Sequence, residues 1–205
     1  MVLSRIALDI TKRTTMLALQ NPEMFHGAIE QAFEPRSGRT LWRIDMLRGQ
    51  YYILLLSETI PKLDALIKQF GTAAEAESRS YDTLLNRIEN GSVWQFRLCA
   101  NPTYSKPNAS GRGSVCAHKT VEHQRQWLKE QSQKHGFSVT DDAFTVVKNQ
   151  WYSFGKSTGD KVKLLSVTYE GQLTITDSHA FCETLTHGLG RAKAYGMGLL
   201  TIARR

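Results

Sequence analysis

The segment from Gly188 to Gly198 has the composition of a phosphate-binding loop. Four glycines fall within these eleven residues, Arg191 and Lys193 lie between them, and no acidic residue follows up to the C-terminus. Glycine tolerates positive φ angles and the close approach of another backbone, and successive backbone N–H groups beside cations bind anions. For any single glycine, a helix C-cap or a tight turn is the simpler interpretation. For the whole run, the pattern predicts phosphate contact through Gly188, Gly190, Arg191 and Lys193.

This glycine-rich loop matches neither of the common nucleotide-binding motifs. A P-loop needs a glycine, four further residues and then Gly-Lys-Ser/Thr, and this complete pattern is absent. A dinucleotide fingerprint needs a third glycine where Lys193 stands, and it follows a strand, whereas the residues before Gly188 have a helical pattern. The phosphate is therefore predicted to belong to a nucleic-acid backbone, and no cofactor is expected.

Among the six histidines, His26 has the most favourable position for proton transfer. It lies in the second turn of a helix whose start is predicted by Asn21, Pro22 and Glu23, which are the N-cap, the first helical residue and an acid in the first turn. Free N–H groups at such a helix end can face an anion, and imidazole titrates near neutrality. From spacing alone, a half-buried histidine that only hydrogen-bonds is commoner, so catalysis requires that His26 and the glycine-rich loop meet in space.

The other histidines and the cysteines do not form a recognisable metal or nucleophile motif. The His-Glu-x-x-His spacing is absent, and His118 and His123 are five residues apart, which does not place them on one helix face. His179, Cys182 and His187 are close in sequence but form a poor ligand set. Since no Gly-x-Ser-x-Gly elbow occurs either, the sequence predicts neither a metal site nor a serine nucleophile.

The overall composition is that of a folded protein with a polyanionic partner. The chain has 205 residues, of which 41% are hydrophobic, enough for one large domain or two small ones. Its formal net charge is +7 at pH 7 and its pI is about 9.4. This balance favours nucleic acid as a partner, although the signal is weak by itself.

The cysteines and the lengths of the apolar stretches indicate the cellular compartment. The three cysteines, Cys99, Cys116 and Cys182, are an odd number without close pairing, which favours a reducing setting. No apolar stretch approaches the roughly 20 residues of a membrane span, and the apolar run before Asp9 is too short for a signal peptide. We therefore expect a cytoplasmic protein without membrane contact or structural disulfides.

The elements that must position these residues follow the same order in both halves of the chain. The first half predicts a strand over 2–10, a helix from 21 to 33, strands over 41–47 and 50–56 and a helix over 60–70, whereas 71–80 predicts a linker or mobile loop. The second half predicts a strand over 93–100, a basic loop over 101–118, a helix over 121–135, strands over 144–154 and 162–176, a helix over 178–186 and a strand over 199–202. This is a split βαβ pattern twice over. It predicts an α+β protein of two tandem ferredoxin-like (RRM-like) domains, residues 1–90 and 91–205.

Four stretches of the sequence together resemble the CasE family, the endoribonuclease subunit of type I-E CRISPR Cascade. They are Asn21-Pro22-Glu23-Met24-Phe25-His26, Phe96-Arg97-Leu98-Cys99-Ala100-Asn101-Pro102, Tyr169-Glu170-Gly171-x-Leu173 and Gly188 to Leu200. The resemblance runs nearly end to end in the same order, and the closing loop is its most specific part.

This resemblance implies RNA cleavage without a metal ion. The substrate would be the repeat hairpin of pre-crRNA, cut on the 3′ side of its stem, with the 2′-hydroxyl as nucleophile and a 2′,3′-cyclic phosphate as product. The protein would then stay with the RNA and the other Cascade subunits. The catalytic histidine of the family falls on His26. Glu23 stands where members often carry a tyrosine, so Glu23 could serve as base, Tyr104 or Lys106 could reach in, or His26 could act alone with the helix end and nearby cations.

The resemblance also implies that the hairpin between the late strands contacts the RNA major groove. Such a groove is narrow in A-form RNA, so entry near a stem end is expected. The expected RNA contacts outside the glycine-rich loop are Lys156, Lys161, Lys163, Arg112, His118 and Lys119. For each one, a solvated surface charge or side chain is the simpler single-residue interpretation. A non-catalytic protein that binds structured RNA is the alternative function, and the absence of an RNP aromatic signature argues against single-strand stacking of the RRM kind.

Overall fold

The computed structural model describes residues 1–33, 38–107, 111, 113–155 and 159–204. In the first half the elements are β1 (Val2–Leu8), α1 (Arg13–Gln20), α2 (Pro22–Gln31), β2 (Leu41–Leu47), β3 (Gln50–Ser57), α3 (Asp64–Phe70), β4 (Gly71–Ser80) and α4 (Asp82–Leu85). In the second half they are β5 (Val93–Ala100), β6 (Thr103–Lys106), β7 (Ser114–Ala117), α5 (Val121–Lys134), β8 (Phe137–Ser138), β9 (Phe144–Gly155), β10 (Lys161–Ile175), α6 (Ser178–His187) and β11 (Leu200–Ala203). No helix in these ranges is both long and apolar enough to cross a membrane.

The first sheet has the strand order β2-β3-β1-β4, and its pairs are antiparallel. Helices follow β1 and β3, which is the ferredoxin-like arrangement. Ile6, Ile53 and Leu55 of the sheet share a buried core with Phe25 and Ile29 of α2. The helix that carries His26 is therefore held by its apolar stripe against this sheet.

The prediction of a linker or mobile loop over residues 71–80 was wrong. These residues form β4, which pairs with β1 at the edge of the first sheet. Polar cross-strand contacts stabilise the pair: Ser4 and Ser78 lie 2.7 Å apart at their hydroxyls, and Arg5 lies 2.7 Å from Glu77. Small polar side chains are compatible with an edge strand, and their pairing depends on a partner distant in sequence, which local pattern does not reveal.

Two helices of the first half also differ from the prediction. The helix α1 was not predicted, because Lys12 at its N-cap makes no capping hydrogen bond and its first turn holds no acid. The helix α3 begins at Asp64 rather than Ile60. Pro61 disfavours helical backbone at Ile60, the residue before it, so the helix does not begin there.

The second sheet has the order β11-β5-β10-β8, with β9 also paired to β10. Helix α5 precedes the central hairpin and α6 precedes β11, so the ferredoxin-like order recurs and the predicted α+β class with two such units is confirmed. The segment over 101–118, predicted as a loop, contains the antiparallel ribbon β6–β7. The proposed division at residues 90/91 falls between α4 and β5 and stays a prediction.

Arg43 joins the two halves through a buried hydrogen-bond network. Its guanidinium donates to both carboxylate oxygens of Asp45 at 2.8 and 2.6 Å, and the two side chains are 2% and 3% exposed. It also donates to the carbonyl oxygens of Arg97 and Leu199 at 2.9 and 2.8 Å and to the Thr201 hydroxyl at 2.8 Å. The network fixes β2 of the first half against β5 and β11 of the second half.

Candidate active site

The helix start predicted before His26 is confirmed. The Asn21 side chain accepts a hydrogen bond from the Glu23 N–H at 3.2 Å, and Pro22 is the first residue of α2. The Asn21 N–H donates to the Leu17 carbonyl oxygen at 2.9 Å, so one residue ends α1 and begins α2. This local geometry fixes the first turns of α2, from which His26 projects.

His26 lies at the border between the buried face of α2 and solvent. Its side chain is 32% exposed, whereas its neighbour Phe25 is 1% exposed. The His26 Nδ1 atom lies 4.0 Å from a carboxylate oxygen of Glu30 one turn later. The imidazole is thus accessible to a substrate, and the Glu30 carboxylate lies near it on the same helix.

The glycine-rich loop meets His26 through Tyr195. The two rings are 6.5 Å apart at their centroids and inclined at 66°. Tyr195 ends a short 3-10 turn that begins after Ala192, where φ is +62°, and its N–H donates to the Ala192 carbonyl oxygen at 2.9 Å. The requirement that His26 and the loop meet in space is therefore fulfilled.

An open pocket of about 430 Å³ lies beside His26. Glu30 and Arg39 border it from the first half, and Ala194 of the glycine-rich loop borders it from the second. Burial and the charge of Arg39 lower the pKa of the Lys193 ammonium. A bound phosphate would offset both of these costs, because an anion favours the charged form of the amine. We call His26, Arg39, Lys193 and Tyr195 the His26 junction.

Glu23 lies three residues before His26 on α2. Side chains at this spacing are neighbours on one helix face, with about 5–6 Å between Cβ atoms. The Glu23 Oε2 atom is buried and has no hydrogen-bond partner among the described residues. A buried carboxylate oxygen without a partner is unusual and is often explained by a functional role.

Part of the glycine-rich loop is occupied by internal hydrogen bonds. The N–H of Gly188 donates to Thr184, that of Leu189 to Gly198, and that of Gly198 to Cys99, at 2.7–2.9 Å. Gly188 has φ +75°, and a Cβ atom there would lie 2.7 Å from a Leu41 methyl group. This glycine therefore packs the end of α6 against β2 and does not present its N–H to solvent.

The remaining predicted contacts of this loop lie in its middle. Arg191 is exposed, and Gly190 and Lys193 are half-buried. A Cβ atom at Gly190 would lie 3.3 Å from the Trp127 ring. Residues 190–194 therefore carry the part of the loop that an RNA phosphate could approach, which is narrower than the predicted span.

The basic hairpin β9–β10 reaches the same region. Phe154 near the end of β9 lies 5.2 Å from the Tyr195 ring, between centroids. Lys161 and Lys163 on β10 are exposed, and the Lys163 ammonium lies 5.1 Å from the centroid of the Trp151 ring. The structure thus brings this hairpin, the glycine-rich loop and His26 together. The predicted contact at Lys156 lies outside the described residues.

The predicted contacts His118 and Lys119 lie on a separate surface. The His118 ring is 4.9 Å from Tyr104 and 5.8 Å from His123, and burial together with the charge of His123 lowers its pKa. Within the described ranges, no residue borders both this surface and the pocket beside His26. We call Tyr104, His118, Lys119 and His123 the His118 surface. Tyr104 is part of it rather than a neighbour of His26, and Arg112 lies outside the described residues.

Arg39 and Tyr195 are the site residues that sequence reasoning missed. Arg39 follows the helix break after Phe33, where a lone cation carries no pattern. Tyr195 lies inside the glycine-rich loop, where the glycines and cations form the recognisable pattern and a single tyrosine does not. Its place between Gly190 and Gly196 in the glycine-rich loop was the available signal. Among the described residues, no three His, Cys, Asp or Glu side chains converge in a metal-binding arrangement.

Comparison with known proteins gives a consistent family match. The model of a family described as "CRISPR associated protein" matches residues 1–204. The chain is 27% identical over 218 residues to the CRISPR-associated endoribonuclease Cse3 of Thermus thermophilus, with 99% of this chain and 100% of that protein covered. It is 27% identical over 123 residues to the Cascade subunit CasE of Escherichia coli, with 57% of this chain and 61% of that protein covered.

A solved structure shares the fold over the whole chain. This is the CRISPR endoribonuclease Cse3 bound to a 19-nucleotide RNA, which superposes with a TM-score of 0.82 at 24% identity. The superposition covers 99% of this chain and 100% of that one. At this identity the likeness supports the fold, two ferredoxin-like units in tandem.

Proposed function

The chain belongs to the family described as CRISPR associated protein, and on that premise we propose that it is an endoribonuclease that processes CRISPR repeat RNA. Its substrate is the repeat hairpin of pre-crRNA, cut on the 3′ side of the stem. The observation that carries the proposal is the His26 junction, where an accessible imidazole lies 6.5 Å from the ring of Tyr195 in a cationic loop. The names of the relatives from T. thermophilus and E. coli agree with this activity.

The chemistry we propose is transesterification within the RNA. The 2′-hydroxyl oxygen before the cut loses its proton and attacks the adjacent phosphorus. The bond from phosphorus to the 5′ oxygen then breaks, and that oxygen takes up a proton. The products are a 2′,3′-cyclic phosphate and a 5′-hydroxyl, and the step consumes neither water nor a metal ion.

His26 is the group we assign to one of the two proton transfers, because imidazole exchanges protons near neutral pH. Two groups compete for the other transfer. Glu23 has a buried carboxylate oxygen without a hydrogen-bond partner in the described chain, and Tyr195 has its ring 6.5 Å from that of His26. Arg39 and Lys193 stabilise the charge that builds on the phosphate, since fixed cations act strongly where water is excluded.

RNA binding is supported by charge and by shape. Lys161 and Lys163 extend the cationic region from the junction along the hairpin β9–β10, and Arg191 extends it along the glycine-rich loop. Contacts of this kind to phosphates give affinity that falls with salt. We propose that the protein stays on its product as a subunit of a Cascade complex. We place it in the cytoplasm, in agreement with three free cysteines among its described residues.

The experiment incubates purified protein with a repeat hairpin RNA in a chelating buffer. We expect a single cut on the 3′ side of the stem, with a product mass that corresponds to a cyclic phosphate, and no cut when the nucleotide before the site is 2′-deoxy. A mobility shift without any cut would instead support the alternative, a non-catalytic protein that binds structured RNA. The absence of both a mobility shift and a cut would contradict both functions.

A further inference from the structure

A second cavity, distinct from the pocket beside His26, lies between the two halves of the molecule. Its volume is about 460 Å³, within the range of small-molecule sites. Trp42 and Tyr51 of the first half border it on one side, and Tyr152 of β9 and Ser166 of β10 border it on the other. The outward face of the second sheet therefore forms one of its walls.

The Trp42 indole, which borders both this cavity and the pocket beside His26, has a buried donor without an acceptor. Trp42 is 2% exposed, and its indole Nε1 atom has no hydrogen-bond partner in the described part of the chain. Leaving a buried N–H unpaired costs free energy, which a ligand with an acceptor would recover. The buried indole N–H without an acceptor therefore indicates a site where a ligand could bind.

Most of the other polar groups that border the cavity are neutral or already paired, and Lys148 is an exposed cation at its border. Gln150 offers both a donor and an acceptor, and burial raises the pKa of the Tyr152 phenol to about 12, so it is uncharged at neutral pH. Arg97 and Glu170 form an ion pair with each other. A cavity with aromatic walls and mostly neutral or paired polar groups suits a flat heterocycle better than an isolated phosphate or carboxylate.

The cavity adjoins the His26 junction. Tyr195 and Gly196 of the glycine-rich loop border it, and Tyr195 is the residue whose ring faces His26. Phe25, the residue before His26, borders it as well. A nucleotide whose phosphate lies at His26 can therefore place its base in this cavity without leaving the protein surface between the two.

We propose that this cavity binds one unpaired nucleobase of the RNA substrate, from a nucleotide next to the scissile phosphate. The proposal rests on the proposed function and adds a site that reads the RNA outside its stem. Bases that are splayed out of a helix are commonly recognised by aromatic stacking and by hydrogen bonds to their edges. The unpaired Trp42 N–H and the Gln150 amide supply such hydrogen bonds here, and Ser166, whose hydroxyl lies 2.9 Å from the Cys99 sulfur, borders the cavity.

The test measures affinity and single-turnover cleavage for repeat hairpins with one abasic nucleotide at each unpaired position near the cut. Wild-type protein is compared with Ser166→Leu, which fills the cavity, and with Gln150→Ala. Asn149→Ala is the matched control, because Asn149 is the exposed neighbour on the same strand and does not border the cavity. Thermal unfolding of each variant checks its folding.

We expect one abasic position to weaken binding to wild type about 5- to 100-fold, the range typical of a stacked base. Ser166→Leu should cause a similar loss with intact RNA, and the abasic RNA should then lose nothing further. Gln150→Ala should give a smaller loss of the same kind. This second variant still tests the proposal if Ser166→Leu does not fold. Asn149→Ala should behave as wild type.

The proposal is overturned if wild type binds and cuts every abasic RNA as well as intact RNA. It is also overturned if folded Ser166→Leu still distinguishes the abasic from the intact substrate, or if Gln150→Ala distinguishes them as strongly as wild type does, as they would if the cavity accepted a partner protein's side chain. Failure of wild type to bind or cut intact hairpin would contradict the proposed function instead, so the two failures are distinguishable.

Discussion

The His26 junction and the His118 surface both combine rings with cations, but they are built differently. The junction brings together His26 and Arg39 of the first half with Lys193 and Tyr195 of the second. The His118 surface is made from one stretch of the second half, residues 104–123. The first depends on how the halves are joined, whereas the second depends on one ribbon and one helix start.

This difference separates chemistry from binding. Proton transfer needs groups held in fixed geometry from more than one side, and the junction has two joined halves and the Arg43 network behind it. Stacking on an exposed ring tolerates a looser arrangement. We therefore infer that cleavage belongs to the junction, and that any contribution of the His118 surface is to affinity.

The largest effect is expected from breaking the joint between the halves. Arg43→Met leaves the Asp45 carboxylate buried without its main partner, a change that typically costs about 3–5 kcal/mol. Urea unfolding should show that loss, and the cleavage rate should fall with it. The double variant Arg43→Met, Asp45→Leu should recover much of the stability, because it removes both members of the buried ion pair. Equal instability of the single and double variants would contradict this account of the network.

The next largest effect identifies the group that transfers the second proton. If the Tyr195 hydroxyl transfers the second proton, Tyr195→Phe lowers the single-turnover rate about 100-fold at saturating RNA, and Glu23→Gln has a smaller effect. Tyr104→Phe, on the His118 surface, is the matched control and should leave the rate unchanged. A large loss for Glu23→Gln with little change for Tyr195→Phe would assign the second transfer to the carboxylate.

How much of the fold and of the His26 junction could be predicted from the sequence depends on whether each feature is encoded by residues close together in the chain. The cap at Asn21 and the position of His26 were predicted correctly, because a helix start is encoded within a few residues. Tyr195 was missed because its proximity to His26 arises only when the halves pack together, and Arg39 was missed because the segment after the helix break approaches His26 only through the fold of the first half. The same reason explains the error at 71–80, where a strand is defined by its distant partner β1.

A smaller effect concerns the salt dependence of RNA binding. Lys161→Gln and Lys163→Gln remove exposed cations from the hairpin that leads to the junction, and each should weaken binding and reduce the slope of log K against log salt by roughly 0.7–0.9. Lys119→Gln makes the same change on the His118 surface. Titrations at several salt concentrations compare the three. If only Lys119→Gln changes the slope, the RNA path lies on the other surface.

The smallest effect is a pair of pKa changes that separate the two regions. Burial and the charge of Lys193 lower the pKa of His135, and burial and the charge of His123 lower that of His118. Lys193→Gln should therefore raise the pKa of His135 alone, and His123→Gln that of His118 alone. Titration by NMR measures both, and a shift of both histidines in one variant would contradict the separation.

The same two histidines affect stability at acid pH. Their folded pKa values lie below the ordinary value of 6.5, so the unfolded chain binds more protons than the folded one below that pH. Their contribution to the free energy of unfolding is therefore lost as the pH falls from about 6.5 through the folded pKa values.

The most direct test of the account compares His26→Ala with His118→Ala in single-turnover cleavage of the repeat hairpin under chelating conditions. The account predicts that His26→Ala slows cleavage about 1,000-fold with nearly unchanged RNA affinity, while His118→Ala cuts at the wild-type rate once RNA is saturating. Wild-type cleavage by His26→Ala, or loss of the chemical step in His118→Ala instead, would contradict it.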